Sequence, residues 1–332
     1  MRVLSLFDGM ACWYEALQRA WIKIDKYYAS EIDKYAIQIA KKNHPDIIEV
    51  WDVQNLWYEW DLLKSSEWRQ QKNIRVAGVW PIDLLIWGSP CQWFSVAGKM
   101  LNFNDPRSKL FFEYVRLLRE VKPKYFLLEN VKMKKDWVDI ISWELWVEPI
   151  EINSSLVSWQ SRRRLYRTNI PSISQPKDKW ILLKDILEDE VDRKYDFSQE
   201  RWERILNSNY DIVKRLENPL DKCNTITTVW WGNHEKKVFV SYAPWSREFI
   251  ANWWKEFKCP TLTARDYKDP RVLYKNGKIR KLTPIEYERL QTLEDNYTAG
   301  VSDSQRYKML GNGRTVDVIK HIFSFIPKTD ED

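Results

Sequence analysis

The chain has 332 residues, 44% hydrophobic and 30% charged, which allows a large buried core in one domain or two unequal ones and excludes a disordered or fibrous protein. Its formal net charge of +6 suits an anionic partner, nucleic acid foremost, on a mildly basic surface. Four widely spaced cysteines with only three histidines argue against structural zinc and a disulfide framework, and no apolar run is long enough to span a bilayer, so a cytoplasmic protein without membrane or metal is expected.

In chain order, residues 3–7, 26–30, 83–86, 125–128 and 152–157 are short apolar runs predicted to be strands. Between them, 33–43 is a predicted helix that stops before Pro45. Residues 109–122 carry Leu110, Phe111, Tyr114, Val115, Leu118 and Val121 at helical spacing, and Pro123 ends that helix. This alternation implies an α/β fold, a doubly wound and largely parallel sheet covered by helices. At 171–179 the composition shifts to Pro, Ser and Lys, the mark of a linker. Beyond it the alternation fades, apart from β-like runs such as 238–242. Residues 282–291 and 304–325 look helical again, separated by a loop at 296–300. The expected organisation is a catalytic and cofactor-binding domain over 1–171, a smaller inserted domain over 172–279, and a C-terminal segment, 280–332, that returns to the first.

The strand at 83–86 runs into Gly88-Ser89-Pro90-Cys91-Gln92, which places a cysteine at the carboxyl end of a central strand, where open α/β sheets bind their ligands. A lone cysteine is commonly a small buried hydrophobe, but a Gly-Ser-Pro turn before it and a polar residue after it suit exposure in a cleft. Glu129-Asn130-Val131 follows the strand at 125–128, and the same topology brings that carboxylate beside the thiol. A nucleophile and a proton donor at adjacent strand ends are what covalent catalysis on a heteroaromatic ring requires.

These segments, with Gln160-Ser161-Arg162-Arg163-Arg164 and Gly311-Asn312-Gly313, resemble in order and approximate spacing the motifs of the DNA (cytosine-5)-methyltransferases, in their single-chain bacterial or phage form. The resemblance covers nearly all of 1–170 and 280–325. It implies that Cys91 adds as thiolate to C6 of a cytosine flipped out of the duplex, that Glu129 holds and protonates N3, and that Arg164 binds O2 with Arg162 in support. S-adenosylmethionine is the implied methyl donor, held by the turn through Phe7, Asp8 and Gly9, by Glu31 and Ile32 at the ribose, and by Asp52 and Val53 at the adenine. Pro90, Leu110 and Asn312 complete that pocket. The implied partner is double-stranded DNA bound by a monomer, with Gln92 and Ser95 beside the nucleophile and Thr261, Leu262 and Arg265 in a target recognition domain. Lys132, Lys134 and Lys135 suit phosphate contacts. Two rivals stand beside this reading: an RNA cytosine-5 methyltransferase, and a catalytically silent DNA-binding homologue. An amino-methyltransferase is disfavoured, because Ser-Pro-Cys stands where those enzymes place Asp/Asn-Pro-Pro-aromatic.

The chain departs from the family in one systematic way. It holds 20 Trp against 9 Gly, where about 7% glycine is ordinary. Trp13, Trp51, Trp87 and Trp93 stand at family glycines, and Arg167 and Arg314 stand where close relatives tend to have tryptophan. Two consistent exchanges suggest codon reassignment, a gene written in one code and translated in another. The tryptophans are expected on turns that want φ > 0, and if the exchange is real in the protein an indole at Trp13 crowds the cofactor.

Overall fold

The computed structural model describes residues 1–59, 62–66, 73–76, 81–88, 106–198, 200, 241–242, 259–260, 272–275 and 278–327. Pro90, Cys91, Gln92, Trp93, Ser95, Thr261, Leu262 and Arg265 lie outside the described residues.

Seven strands form the central sheet: β1 (Arg2–Leu6), β2 (Lys26–Ser30), β3 (Ile48–Glu49), β4 (Leu84–Gly88), β5 (Tyr125–Val131), β6 (Ile150–Asn153) and β7 (Arg163–Thr168). Their spatial order is β3-β2-β1-β4-β5-β7-β6. The run from β3 to β5 is parallel, and β7 lies antiparallel to both β5 and β6. The near-continuous apolar character of β1 and β4 follows from burial on both faces. With a side-chain period of two, Val3, Leu84 and Ile86 enter one core while Leu4, Leu85 and Trp87 enter the other.

Helices α1 (Cys12–Arg19), α2 (Lys34–Asn43) and the C-terminal trio α5 (Pro284–Leu290), α6 (Asp303–Asn312) and α7 (Val316–Phe323) cover the first face. Helices α3 (Pro106–Val121) and α4 (Lys135–Leu145) cover the second. Local chemistry sets several of the ends. Asp33 caps α2 by accepting from the Tyr35 N–H at 3.0 Å. Thr283 and Glu286 form a capping box on α5, with Pro284 in its first turn.

The structure corrects several expected elements. The single helix expected at 304–325 is two, parted at Gly313, whose extended backbone turns the chain back toward the sheet. The strand expected at 152–157 runs from Ile150 to Asn153, and Ser154–Leu156 is a short 3-10 turn capped by Asn153. β7 and α4 were not foreseen. β5 extends through Glu129, so the glutamate lies within the strand, paired with Gly88 on one side and Tyr166 on the other. Past 172 the chain still packs on the first core through Ile173, Ile181, Leu182, Ile186 and Leu187, because these apolar side chains find cover against it.

The tryptophans also divide differently from the expectation. Trp13 lies in α1 and Trp87 in β4, neither at positive φ, and both are fully buried. Trp57 lies in a strand, Leu56–Glu59. Yet of the ten described non-glycine residues with positive φ, four are tryptophans: Trp21, Trp51, Trp146 and Trp180. At Trp21 the Ile22 N–H bonds the Leu17 carbonyl at 3.1 Å and the Trp21 N–H that of Gln18 at 2.9 Å. That is the Schellman closure of α1, with Trp21 in the position glycine usually takes.

Candidate active site

The chain runs outward from β1 to β2 and β3, then returns to the other side of β1 as β4. This reversal opens a crevice at the carboxyl ends of β1 and β4, the expected ligand position in an open α/β sheet. A cavity of about 250 Å³ lies there. Of the residues expected to hold a cofactor, Phe7, Gly9, Glu31, Ile32, Asp52, Val53, Leu110 and Asn312 line it.

Glu31 is the best fixed of them. Its Oε2 accepts the Gly9 N–H at 2.8 Å, and its Oε1 accepts the N–H groups of Ile32 and Asp33 at 2.8 and 2.9 Å. The carboxylate thereby joins the loops after β1 and β2. Asp52 caps the 3-10 turn Val53–Asn55 by accepting from the Gln54 N–H at 2.9 Å. Two oriented carboxylates, an aromatic ring and apolar Val53 and Leu110 fit a nucleoside with a ribose diol and a cationic tail, which describes S-adenosylmethionine.

Asp8 is a correction. Its side chain does not reach the cavity but turns into the core, accepting from Ser5 Oγ at 2.6 Å and Tyr27 Oη at 2.5 Å. Burial pushes its carboxyl up to about 6, partly offset by those two hydrogen bonds. The expected crowding by Trp13 is corrected too: its ring lies below the cavity against Phe323, with centroids 6.4 Å apart. Cys12, one residue earlier, is buried and its thiol is pushed up to about 11, so it is not a poised nucleophile.

Glu129 sits where β5 meets the end of β4, directly across from Gly88, three residues before Cys91. It is almost fully buried and flanked by two guanidinium groups. Arg164 Nε lies 3.5 Å from Oε1, and Arg314 Nε lies 2.9 Å from Oε2. The arginines of the 162–164 run part company, because alternate residues of a strand face opposite ways. Arg164 turns to Glu129. Arg163 faces solvent and pairs with Glu151 at 3.1 Å. Arg162 is buried and donates to the Gly313 carbonyl at 2.8 Å, bracing the turn that carries Asn312. Its support of the site is therefore through that turn. Lys132 and Lys135 are exposed, the first paired with Glu151 and the second with Asp139.

Arg314 is the residue that motif reasoning missed as part of the site, having marked it only as a departure. Nothing in the sequence signals its role except its place two residues after Asn312. Lys308, at the cavity wall and paired with Asp33 at 2.7 Å, was also missed. Arg167, the other expected exchange site, is buried with no carboxylate partner among the described residues. Burial lowers its guanidinium to about 10.

A doubly wound sheet, a nucleoside-shaped cleft at its switch point and an acidic side chain on the adjoining strand define a Rossmann-like methyltransferase. Two solved structures share the fold over 98% of both chains. A putative DNA modification methyltransferase encoded within an E. coli prophage has a TM-score of 0.65 at 20% identity, and the S. pombe Dnmt2 methyltransferase has 0.64 at 18%. In sequence, the chain is 30% identical over 308 residues to the Type II methyltransferase M1.ScrFI of Lactococcus lactis subsp. cremoris, covering 90% of this chain and 71% of that one. It is 27% identical to the orphan methyltransferase M.SPRI of Bacillus phage SPR, covering 97% and 96%. The C-5 cytosine-specific DNA methylase pattern matches residues 1–136 and 155–328, and the chain belongs to that family. Among the described residues no helix is long and apolar enough to cross a membrane, and no cluster of His, Cys, Asp and Glu could hold a metal.

Proposed function

We infer that this chain transfers a methyl group from S-adenosylmethionine to C5 of cytosine in DNA. The observation that carries the inference is the pairing of Glu129 with Gly88 at the sheet's switch point, beside the cofactor cleft and three residues short of Cys91. S-adenosylmethionine supplies the electrophilic methyl group. Cys91 adds through its thiolate sulfur to C6, forming a C–S bond and making C5 nucleophilic. Glu129 donates a proton to N3 as negative charge builds in the ring. Arg164, held against Glu129, places its guanidinium for O2. Once C5 has gained the methyl group, water takes the C5 proton, N3 returns its proton to Glu129, and the C–S bond breaks to release the thiolate.

Glu31, with Ile32 at the rim, takes the ribose. Asp52 and Val53 take the adenine, with Phe7 against its ring and Leu110, Pro90 and Asn312 closing the pocket. Gly9 and the backbone of Asp8 bound the methionine end. Target recognition belongs to the region 172–279, where Thr261, Leu262 and Arg265 contact DNA, while Gln92 and Ser95 lie beside the extruded base. The enzyme acts as a monomer on duplex DNA.

The test is transfer of labelled methyl from S-adenosylmethionine to a duplex DNA library and to RNA of matched sequence, followed by bisulfite sequencing. Conversion-resistant cytosines in DNA are expected; label on RNA alone would move the assignment to the RNA reading, and no label on either to the silent homologue. Within this mechanism Glu129→Gln should lower the single-turnover rate by about 10²–10⁴-fold, the usual worth of a positioned proton donor, because the amide can accept but cannot protonate. DNA affinity should change little. An unchanged single-turnover rate would remove Glu129 from the chemistry.

A further inference from the structure

The guanidinium of Arg314 reaches the ends of β1 and β4 and the Glu129 side chain of β5 at once. Its Nη2 donates to the Gly88 carbonyl at 2.9 Å and to that of Phe7 at 3.3 Å, while Nη1 lies 3.5 Å from the Asp8 carbonyl. Its Nε lies 2.9 Å from Glu129 Oε2, with both side chains under a tenth exposed. The plane rests over the Trp13 ring, 4.6 Å from the centroid. Gly88 makes room for it, since a Cβ there would sit 1.5 Å from Nη2. The group thus fills the gap between the end of β1, which begins the cofactor turn, and the end of β4, which leads to Cys91. It also lines the cofactor cavity.

We propose that Arg314 is a positioning residue for methyl transfer in this chain, locking the Glu129 carboxyl in register with the ends of β1 and β4. The inference rests on the methyl-transfer reading and falls with it. The physical reason is geometric. A glutamate has three side-chain torsions, and Arg164 Nε lies 3.5 Å from one of its oxygens. Arg314 holds the second oxygen by charge, its Nε 2.9 Å away as an ion pair without hydrogen-bond alignment, and the same cation is itself hydrogen-bonded to the backbone at the ends of β1 and β4. A carboxyl so held presents one face to the base; released, it spreads over rotamers of which few meet N3. A buried cation tied to a carboxylate and three carbonyls also meets the requirement that buried charge be paired.

The experiment is a double-mutant cycle between Arg314→Met and Glu129→Gln, read as single-turnover methylation at saturating S-adenosylmethionine and DNA. Methionine keeps length and burial while removing the charge. Arg314→Met should slow transfer by about 10²-fold, the scale of loss when a catalytic group is misplaced by about an ångström. In the Glu129→Gln background it should cost nothing further, because its effect passes through that carboxyl. Arg314→Lys should recover part of the rate, since an ammonium can still meet Oε2. That rescue separates positioning from packing, and it keeps the test alive if the Met variant folds poorly. Losses that multiply in the double variant would overturn the proposal. So would a Met variant as fast as an active parent, or a Trp13→Gly/Arg314→Trp chain that methylates at or above the parent rate. A parent that transfers no methyl group would instead defeat the function on which the proposal rests.

Discussion

Cys91→Ser is expected to abolish methylation while S-adenosylmethionine binding stays within a few-fold of the parent. A serine hydroxyl is almost never ionised near neutral pH, whereas a cysteine thiol can supply the thiolate that must add to C6. Rates should fall by roughly 10⁴–10⁶-fold, the range seen when a covalent nucleophile is removed from an enzyme. Binding should persist, because the described residues lining the cofactor cavity, from the turns after β1 and β2, α2, the 52–54 turn, Gly88, α3 and the 308–314 segment, are unchanged by the substitution. A duplex containing 5-fluorocytosine should trap the parent as a covalent adduct, since fluorine cannot leave C5 as a proton does, and should not trap the variant. Cys12 offers no substitute thiol, being buried in α1 with its thiol pushed up to about 11. Turnover by the serine variant at a rate near the parent's would remove the covalent mechanism.

The second large effect concerns stability. Trp21, Trp51, Trp146 and Trp180 hold φ of 59°, 62°, 56° and 54°, and a residue with a Cβ pays about 1–2 kcal/mol for the left-handed region. Glycine escapes that cost but loses about 0.5–1 kcal/mol of chain entropy on folding, so each replacement should gain roughly 0.5–1 kcal/mol and all four about 2–4 kcal/mol. Little buried surface is given up at Trp21 and Trp146, 85% and 82% exposed, and more at Trp180 and Trp51, 58% and 37% exposed, which places the total toward the lower end of that range. The quadruple glycine variant should therefore unfold at a higher denaturant concentration with an unchanged m-value. Trp87→Gly should do the opposite. That indole is fully buried, stacked on Phe111 at 5.7 Å and against Tyr114 at 5.0 Å, so its loss from this chain should cost about 3–5 kcal/mol. Trp13 and Arg314 are in contact, so exchange at one is coupled to exchange at the other. We propose that the turn tryptophans reflect codon reassignment. Mass spectrometry of the protein from its native host should then find glycine at 21, 51, 146 and 180. Tryptophan at the four positive-φ positions, with no gain in the quadruple variant, would end that proposal.

Much of the architecture was legible because it is written in short-range pattern. Apolar runs bounded by turns identified β2 to the residue and β1, β4 and β5 to within a few, and the spacing of Leu110, Phe111, Tyr114, Val115, Leu118 and Val121 located α3. β7 escaped because Arg163-Arg164-Leu165-Tyr166-Arg167-Thr168 has too much charge to look like a buried strand. Its arginines are accommodated by partners far away in sequence, Glu129 for Arg164 and the Val138 carbonyl for Arg167. α4 escaped because Lys135-Asp136-Trp137-Val138 opens without a side-chain cap. The break between α6 and α7 was equally invisible, since Gly313 reads as one tolerable glycine in a helical run.

By itself the sequence determined the order of the parallel strands' apolar runs, the polar residues that punctuate their carboxyl ends, and hence the identity of Cys91, Glu129 and Glu31 as candidates. Strand ends are local features, and an open sheet always gathers them on one edge. Only the tertiary structure decided which charges meet. Glu129 and Arg314 are separated by 185 positions in the chain, yet their side chains lie 2.9 Å apart. Asp8 belongs to the cofactor turn in sequence but spends its carboxyl on Ser5 and Tyr27 in the core. Pattern fixes which face of an element is buried; the partner a buried charge finds depends on how the chain closes on itself, and that contact is long-range by nature.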